Sequence, residues 1–217
     1  MLKVKIAPSI LASDFSKFGE TVKLLQENGA DYIHCDVMDG NFVPPITFGA
    51  QAVKQIRPHT RLPLDCHLMV LHPETHFESF IQAGADIITV HCEACEDILK
   101  PLHAIHAGGV KAGAVVNPAT DVEKLYGAAE VADMLLIMSV VPGWGGQKFI
   151  PESLKKIEKL REHCIKIGRP DLDIEVDGGV TEENIKDVLS AGANVIVAGS
   201  TVFRSPNMRE TIKRLRG

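Results

Sequence analysis

The run YIHCDVMDG (32–40) sets His34, Asp36 and Asp39 among strand-forming apolar residues. Strand side chains alternate faces, so His34, Asp36 and Met38 share one side while Ile33 and Val37 share the other. An imidazole and a carboxylate on one strand face cost free energy in an apolar interior unless something pairs with them. Two further strand-like runs offer partners: PLDCHLMV supplies His67 and DIEVDGG supplies Asp177. Two imidazoles and two carboxylates form a four-ligand set for one divalent transition metal per subunit. Each residue alone reads as a hydrogen-bonded interior polar group; His34, Asp36, His67 and Asp177 together, each late in a strand, read as a site. Asp65 shares the face of His67 but sits deeper, and Asp39 belongs to the following loop, so neither is taken as a ligand. His91 is an outer participant. His59, His72, His76, His103, His106 and His163 fall on helices or loops and read as surface.

A second cluster is rich in glycine. Val141-Pro-Gly-Trp-Gly-Gly-Gln147, Asp177-Gly-Gly179 and Ala198-Gly-Ser200 each follow a strand-like run. Glycines there let backbone N–H groups approach an anion, and three such loops side by side make a phosphate grip. Trp144, the only tryptophan, either anchors its loop by packing or flanks the substrate. Met38 and Met69 lie two residues past Asp36 and His67, and Met138 lies on another strand; they pack as core or line the reacting centre with apolar surface. A metal, two carboxylates and a phosphate grip suit removal of a proton beside a sugar-phosphate carbonyl. Asp36 on one face of the carbon and Asp177 on the other would remove and return a proton, inverting the centre.

These residues span most of the chain, so a fold must gather them. One phrase recurs: NGADYIHCDVM, AGADIITVHCE, VADMLLIMSVV and AGANVIVAGS. Gly29, Gly84 and Gly192 each follow an amphipathic stretch, as a glycine just past a helix end does. The apolar runs after them suit parallel strands covered by helices. Eight strands are expected near 4–9, 31–38, 63–70, 86–93, 111–116, 133–140, 173–178 and 194–200, with helical patterns between them. Asp14 or Ser16, Pro73, Pro151 and the segment Thr181–Asn184 mark helix starts. This is a (β/α)8 TIM barrel filling residues 1–217 as one domain, and its active site belongs at the C-terminal ends of the strands. No Gly-x-Gly-x-x-Gly follows the first strand, which disfavours an open doubly wound sheet.

The chain has 217 residues, with 23 basic against 28 acidic side chains and no basic block, so no nucleic-acid partner is expected. No apolar run has the length of a membrane helix, no signal peptide opens the sequence, and a cytoplasmic location is expected. Five cysteines, an odd number, argue against a disulfide framework, and Cys92-x-x-Cys95 has no second pair with which to bind zinc. All five read as reduced thiols, mostly buried.

IAPSILASDF (6–15), HCDVMDGNFVPPITFG (34–49), DCHLMV (65–70), VVPGWGGQKF (140–149), EVDGGV (175–180) and VAGSTVF (197–203) resemble the motifs of the ribulose-phosphate 3-epimerase family. The resemblance runs along essentially the whole chain and implies the phosphate-binding type of (β/α)8 barrel. It implies metal ligation by His34, Asp36, His67 and Asp177, with Zn2+, Fe2+, Mn2+ or Co2+ all compatible, and acid–base work by Asp36 and Asp177. It also implies substrate contacts from Ser9 and His67, and phosphate binding by Gly143, Trp144, Gly145, Gly146, Gly178, Gly179, Gly199 and Ser200. The implied reaction inverts C3 of D-ribulose 5-phosphate to give D-xylulose 5-phosphate, in the pentose phosphate pathway or in carbon fixation, and a homo-oligomer is expected. Pro45, Cys35, Val141 and Trp144 depart from the usual family residues, which leaves open a related ketose phosphate such as D-allulose 6-phosphate. A catalytically silent sugar-phosphate-binding barrel would keep the same pockets. Orotidine-phosphate decarboxylation, the nearest rival reaction, would need a Lys–Asp array, and no lysine lies at a strand end near Asp36.

Overall fold

In the computed structural model, which describes residues 2–217, the repeated phrases form strands on one ring. The strands are β1 (Lys5–Ala7), β2 (Ile33–Met38), β3 (Leu64–Met69), β4 (Ile87–His91), β5 (Lys111–Val116), β6 (Met134–Met138), β7 (Asp173–Asp177) and β8 (Val195–Val197). Neighbours pair in parallel in the order β1-β8-β7-β6-β5-β4-β3-β2. A single parallel bridge between Ser9 and His34 joins the two ends of the sheet and brings the barrel nearly to closure.

The outer layer comprises α1 (Phe18–Glu27), α2 (Ala50–Ile56), α3 (Phe77–Ala83), α4 (Leu99–Ala107), α5 (Ser153–Lys166), α6 (Ile185–Ser190), α7 (Ser200–Phe203) and α8 (Met208–Arg214). Between β5 and β6 the chain makes two 3-10 turns, Val122–Leu125 and Ala128–Glu130, where strict alternation would put an α-helix. The helix-end glycines behave as their position demands. Gly84 ends α3 at φ +91° with its N–H turned back to the helix carbonyls, a conformation that costs a side chain free energy and glycine little. Asp14 caps a 3-10 turn, Phe15–Lys17, that leads into α1, and Thr181–Asn184 is a turn ahead of α6 rather than its first helical turn.

Two cores separate the strand faces. Outward-facing residues such as Ile33, Cys35, Leu64, Cys66, Ile88, Leu135 and Ile174 pack against the helices in one continuous apolar layer. Inside the ring, Ala7, Tyr32, Ile87, Met134, Val195 and Val197 form an apolar cluster that runs from the N-terminal ends of β4 and β6 to the cleft at Val197. Beside it lies a polar layer of fully buried His34, Asp65, His67, Thr89, His91 and Glu175. Close-packed interiors leave little slack there: a Cβ on Gly113 of β5 would stand 2.4 Å from the Thr89 methyl. All five cysteines are free; Cys35, Cys66 and Cys164 are buried, and Cys92 and Cys95 are half-buried. Cys92 lies in a 3-10 turn past the end of β4, not on the strand.

Candidate active site

Register decides which side chains meet. On adjacent strands β2 and β3, His34 stands beside Asp65, Asp36 beside His67 and Met38 beside Met69; on β6 and β7, Met138 stands beside Asp177. Parallel strands keep the same face at each paired level, so these residues all point into the ring. One donor atom from each of His34, Asp36, His67 and Asp177 lies within 4.8 Å of the others. Asp36 and Asp177 thus come together although β2 and β7 are separated by β1 and β8 around the ring.

Each imidazole presents a different nitrogen to this centre. His34 directs Nδ1 at Asp65 Oδ2, 2.7 Å away, and Nε2 towards Asp36 Oδ1 at 3.3 Å and Asp177 Oδ2 at 4.0 Å. The Asp65 carboxylate only accepts, so it keeps a His34 proton on Nδ1 and makes Nε2 the nitrogen that can give up its hydrogen to a ligand. Among the described residues, this fully buried Nε2 has no hydrogen-bond partner despite the nearby Asp36 oxygen. His67 instead turns Nδ1 inward, 3.2 Å from Asp36 Oδ1 and 3.8 Å from Asp177 Oδ2, and its Nε2 lies 2.8 Å from His91 Nε2. Ser9, brought close by the bridge that closes the barrel, donates its hydroxyl to Asp36 Oδ2.

The two central carboxyls are driven in opposite directions. Burial raises the Asp36 pKa, but the charge of His34 and the hydrogen bond to and charge of His67 outweigh it and hold that carboxyl far below the usual range. Burial, followed by the Asp36 charge, pushes Asp177 up to about 6. Burial opposes the charged form of His34, yet Asp36 and Asp65 raise its pKa well above the ordinary value. Beneath them Glu175, fully buried on β7 and 3.5 Å from His34 Nδ1, is raised well above its usual range by burial and by Asp65. Sequence reasoning passed over Glu175, although its place two residues before Asp177 puts it on the same strand face.

This arrangement gives a pH dependence with a definite sign. The folded chain holds the Asp177 proton more tightly than the unfolded chain, so the group favours folding below about pH 4 and loses that contribution as pH rises through about 6. Metal-free Asp177→Asn should therefore melt a few °C above the metal-free parent near pH 7 and no higher near pH 4. Calorimetry at the two pH values checks this, and equal melting near pH 7 would show that burial does not burden the carboxylate.

Above the polar layer the cleft is lined by Ser9, Asp36, Met38, Met69, Met138 and Asp177, and further out by the glycine loops. Gly178 and Gly179 have φ of +121° and +67°. A Cβ would stand 2.4 Å from a Val140 methyl at Gly178 and 2.3 Å from the Phe149 backbone nitrogen at Gly179. Ser139 Oγ donates to the carbonyls of Asp177 and Gly178, and Asn184 Nδ2 donates to that of Gly179, which fixes the β7–α6 turn. Gln147 Nε2 donates to the Val141 and Trp144 carbonyls and closes the β6–α5 loop on itself. Ser139 and Gln147 were not legible as loop supports, since one side chain spans strands and the other bonds only backbone. Gly143, Gly145, Gly146, Gly199 and Ser200 line the same cleft. Trp144 lines its rim with 62% of its surface exposed, so packing does not anchor the loop through it. Asp39 stays outside the centre: its carboxylate accepts backbone N–H groups from Asn41, Phe42 and Leu71 and so ties two mouth loops together.

The profile of the ribulose-phosphate 3 epimerase family matches residues 5–203. The chain belongs to that family. It is 53% identical over 215 residues to a ribulose-phosphate 3-epimerase of Synechocystis sp., covering 98% of this chain and 93% of the relative. It is 46% identical over 214 residues to the enzyme of that name from Bacillus subtilis, covering 99% of both chains. The crystal structure of orotidine 5'-phosphate decarboxylase from Pyrococcus horikoshii superposes with a TM-score of 0.70 at 17% identity, covering 97% of each chain, which shows a shared barrel fold. Among the described residues, no helix is long and apolar enough to cross a membrane.

Proposed function

We propose that this protein interconverts D-ribulose 5-phosphate and D-xylulose 5-phosphate by inverting C3, with Asp36 and Asp177 moving the proton. The observation that carries this reading is the pair itself: two carboxyls of opposite protonation tendency in one cleft whose rim is a glycine loop, in a chain of the epimerase family. Inversion by proton transfer needs one ionised and one protonated acid facing one carbon. Asp36, held ionised, suits the base, and Asp177, raised to about 6, suits the acid. Transfer from the other epimer exchanges their roles.

The donor set also fits a divalent transition metal, because a buried His34 Nε2 without a partner faces two carboxylates and the inward Nδ1 of His67. Such an ion would polarise the substrate carbonyl and stabilise the negative charge that develops on its oxygen. The chain's residues do the rest. The Ser9 hydroxyl orients Asp36 through Oδ2, and Asp65 fixes which nitrogen of His34 faces inward. Met38, Met69 and Met138 cover the cleft with apolar surface that keeps water from the reacting carbon. In this reading, backbone N–H groups around Gly145, Gly146, Gly179, Gly199 and Ser200, which line the cleft, hold the phosphate.

Turnover of D-ribulose 5-phosphate, followed as formation of D-xylulose 5-phosphate, tests the reading directly. A sugar-phosphate-binding barrel without catalysis would give no product. Exhaustive chelation should abolish turnover and a divalent transition metal should restore it. Full activity in protein shown by elemental analysis to be metal-free would end the metal half of the proposal.

A further inference from the structure

His91 is fully buried beyond His67 and takes no part in the proton transfer above. Its Nε2 lies 2.8 Å from His67 Nε2, and its Nδ1 lies 3.3 Å from Glu93 Oε2. Glu93 is itself held, since Oε1 accepts the Asn117 backbone N–H at 2.8 Å. Two N–H groups cannot face each other at 2.8 Å, so one of the paired nitrogens carries the hydrogen and the other a lone pair. A carboxylate accepts and does not donate, so the Glu93 contact requires the His91 hydrogen on Nδ1. That leaves the lone pair on His91 Nε2, and His67 must donate from Nε2. His67 Nδ1, 3.2 Å from the Asp36 carboxylate, also carries a hydrogen while no ion is present; with the Nε2 hydrogen held by His91, Nδ1 is the nitrogen free to surrender its hydrogen and bind an ion.

We infer that Glu93 and His91 are positioning residues which, acting in series, keep a hydrogen on His67 Nε2 and so choose Nδ1 as the nitrogen that His67 offers to an ion in the site. Asp65 makes the opposite choice for His34, whose Nδ1 is occupied and whose Nε2 faces inward. The two histidines thus reach one centre through different nitrogens, each selected by a separate carboxylate. The inference extends the metal reading and rests on it for its effect on affinity; the Nε2–H contact with His91 belongs to the chain alone. Phe42, whose ring centroid lies 4.6 Å from that of His91, and the His67 ring at 5.0 Å hold the imidazole between them.

The test uses the whole chain with His91→Gln, His91→Leu and Glu93→Gln. Gln at 91 can still accept from His67 Nε2, whereas Leu cannot. Gln at 93 offers one oxygen to two donors, so its amide nitrogen must face either Asn117 or His91. Zn2+ affinity, measured by competition with a chelator, should fall about 10- to 100-fold in His91→Leu and Glu93→Gln and stay within about threefold in His91→Gln. Nitrogen-15 spectra of the Zn2+-loaded parent should show a pyrrole-type Nε2 and a metal-bound Nδ1 at His67, a distinction blurred or reversed in His91→Leu. Glu93 is partly exposed, so its variant reports even if the core substitution fails to fold. Parental Zn2+ affinity in Glu93→Gln, or a His67 that binds Zn2+ through Nε2, would overturn the inference. A parent that keeps a hydrogen on His67 Nε2 yet binds no divalent ion would sustain the positioning role and remove the metal reading instead.

Discussion

Asp36→Asn and Asp177→Asn, each incubated in D2O with either pentulose phosphate, should label opposite epimers while interconversion falls by about 10^3-fold or more. The carboxyl that remains still faces one side of C3 and can exchange the proton on that side. The amide on the other side has no proton-transfer capacity, so deuterium enters with retention and inversion stops. The structure makes the two variants unequal in a useful way. Asp36 accepts from Ser9 and lies against both His34 and His67, so its loss also disturbs the imidazoles. Asp177 has the looser contacts, 3.8 and 4.0 Å to the same histidines, and its variant should be the cleaner experiment. Metal content must be matched to the parent before rates are compared, because both residues belong to the donor set. Epimerisation at the parental rate in either metal-loaded variant would refute the two-base mechanism.

Gly179→Val should reduce kcat/KM for the phosphorylated sugar by about 10^2-fold or more, since displacing a substrate clamp by about an ångström has that effect. At φ +67° a β-branched residue is strained, and its Cβ would press on the Phe149 nitrogen and the Lys148 carbonyl carbon, both backbone atoms that cannot rotate away. The β6–α5 loop would have to move, and with it the amides around Gly145 and Gly146. Gly145→Leu separates blocking from packing, because a Cβ there meets nothing within 4 Å. It should raise KM with the melting temperature unchanged, whereas Gly179→Val should lose both affinity and stability. Unchanged KM in both variants would place the phosphate elsewhere in the molecule.

Much of the barrel was legible because its signals are local. A period of two puts His34 and Asp36 on one face whatever the strand pairs with, and a glycine after an amphipathic stretch marks a helix end on either side of any sheet. Continuous apolar runs announce strands covered on both faces, so eight strands and their order could be read along the chain. The β5–β6 connection escaped this logic: its short pieces carry no helical period long enough to tell a 3-10 turn from an α-helix.

What the tertiary structure alone decided depends on distances between strands and on burial. The near-closure of the ring at Ser9 and His34 sets how far Asp36 stands from Asp177, and no spacing in the sequence encodes that separation. Protonation follows from the same closure: identical aspartates diverge because one lies against two imidazoles while burial and its neighbour's charge act on the other. The choice of nitrogen on each histidine rests on Asp65, His91 and Glu93, contacts fixed by strand register and by the loop after β4. Glu175 carried its signal in plain alternation, but its environment of buried neighbouring carboxyls exists only once β2, β3 and β7 share an interior. The sequence by itself determined which residue types face inward at each strand end, because side-chain alternation is a property of a single strand. Which of them touch, and in which protonation state, is decided only by the closed ring, because electrostatic and hydrogen-bond energies depend on distances that one strand cannot set.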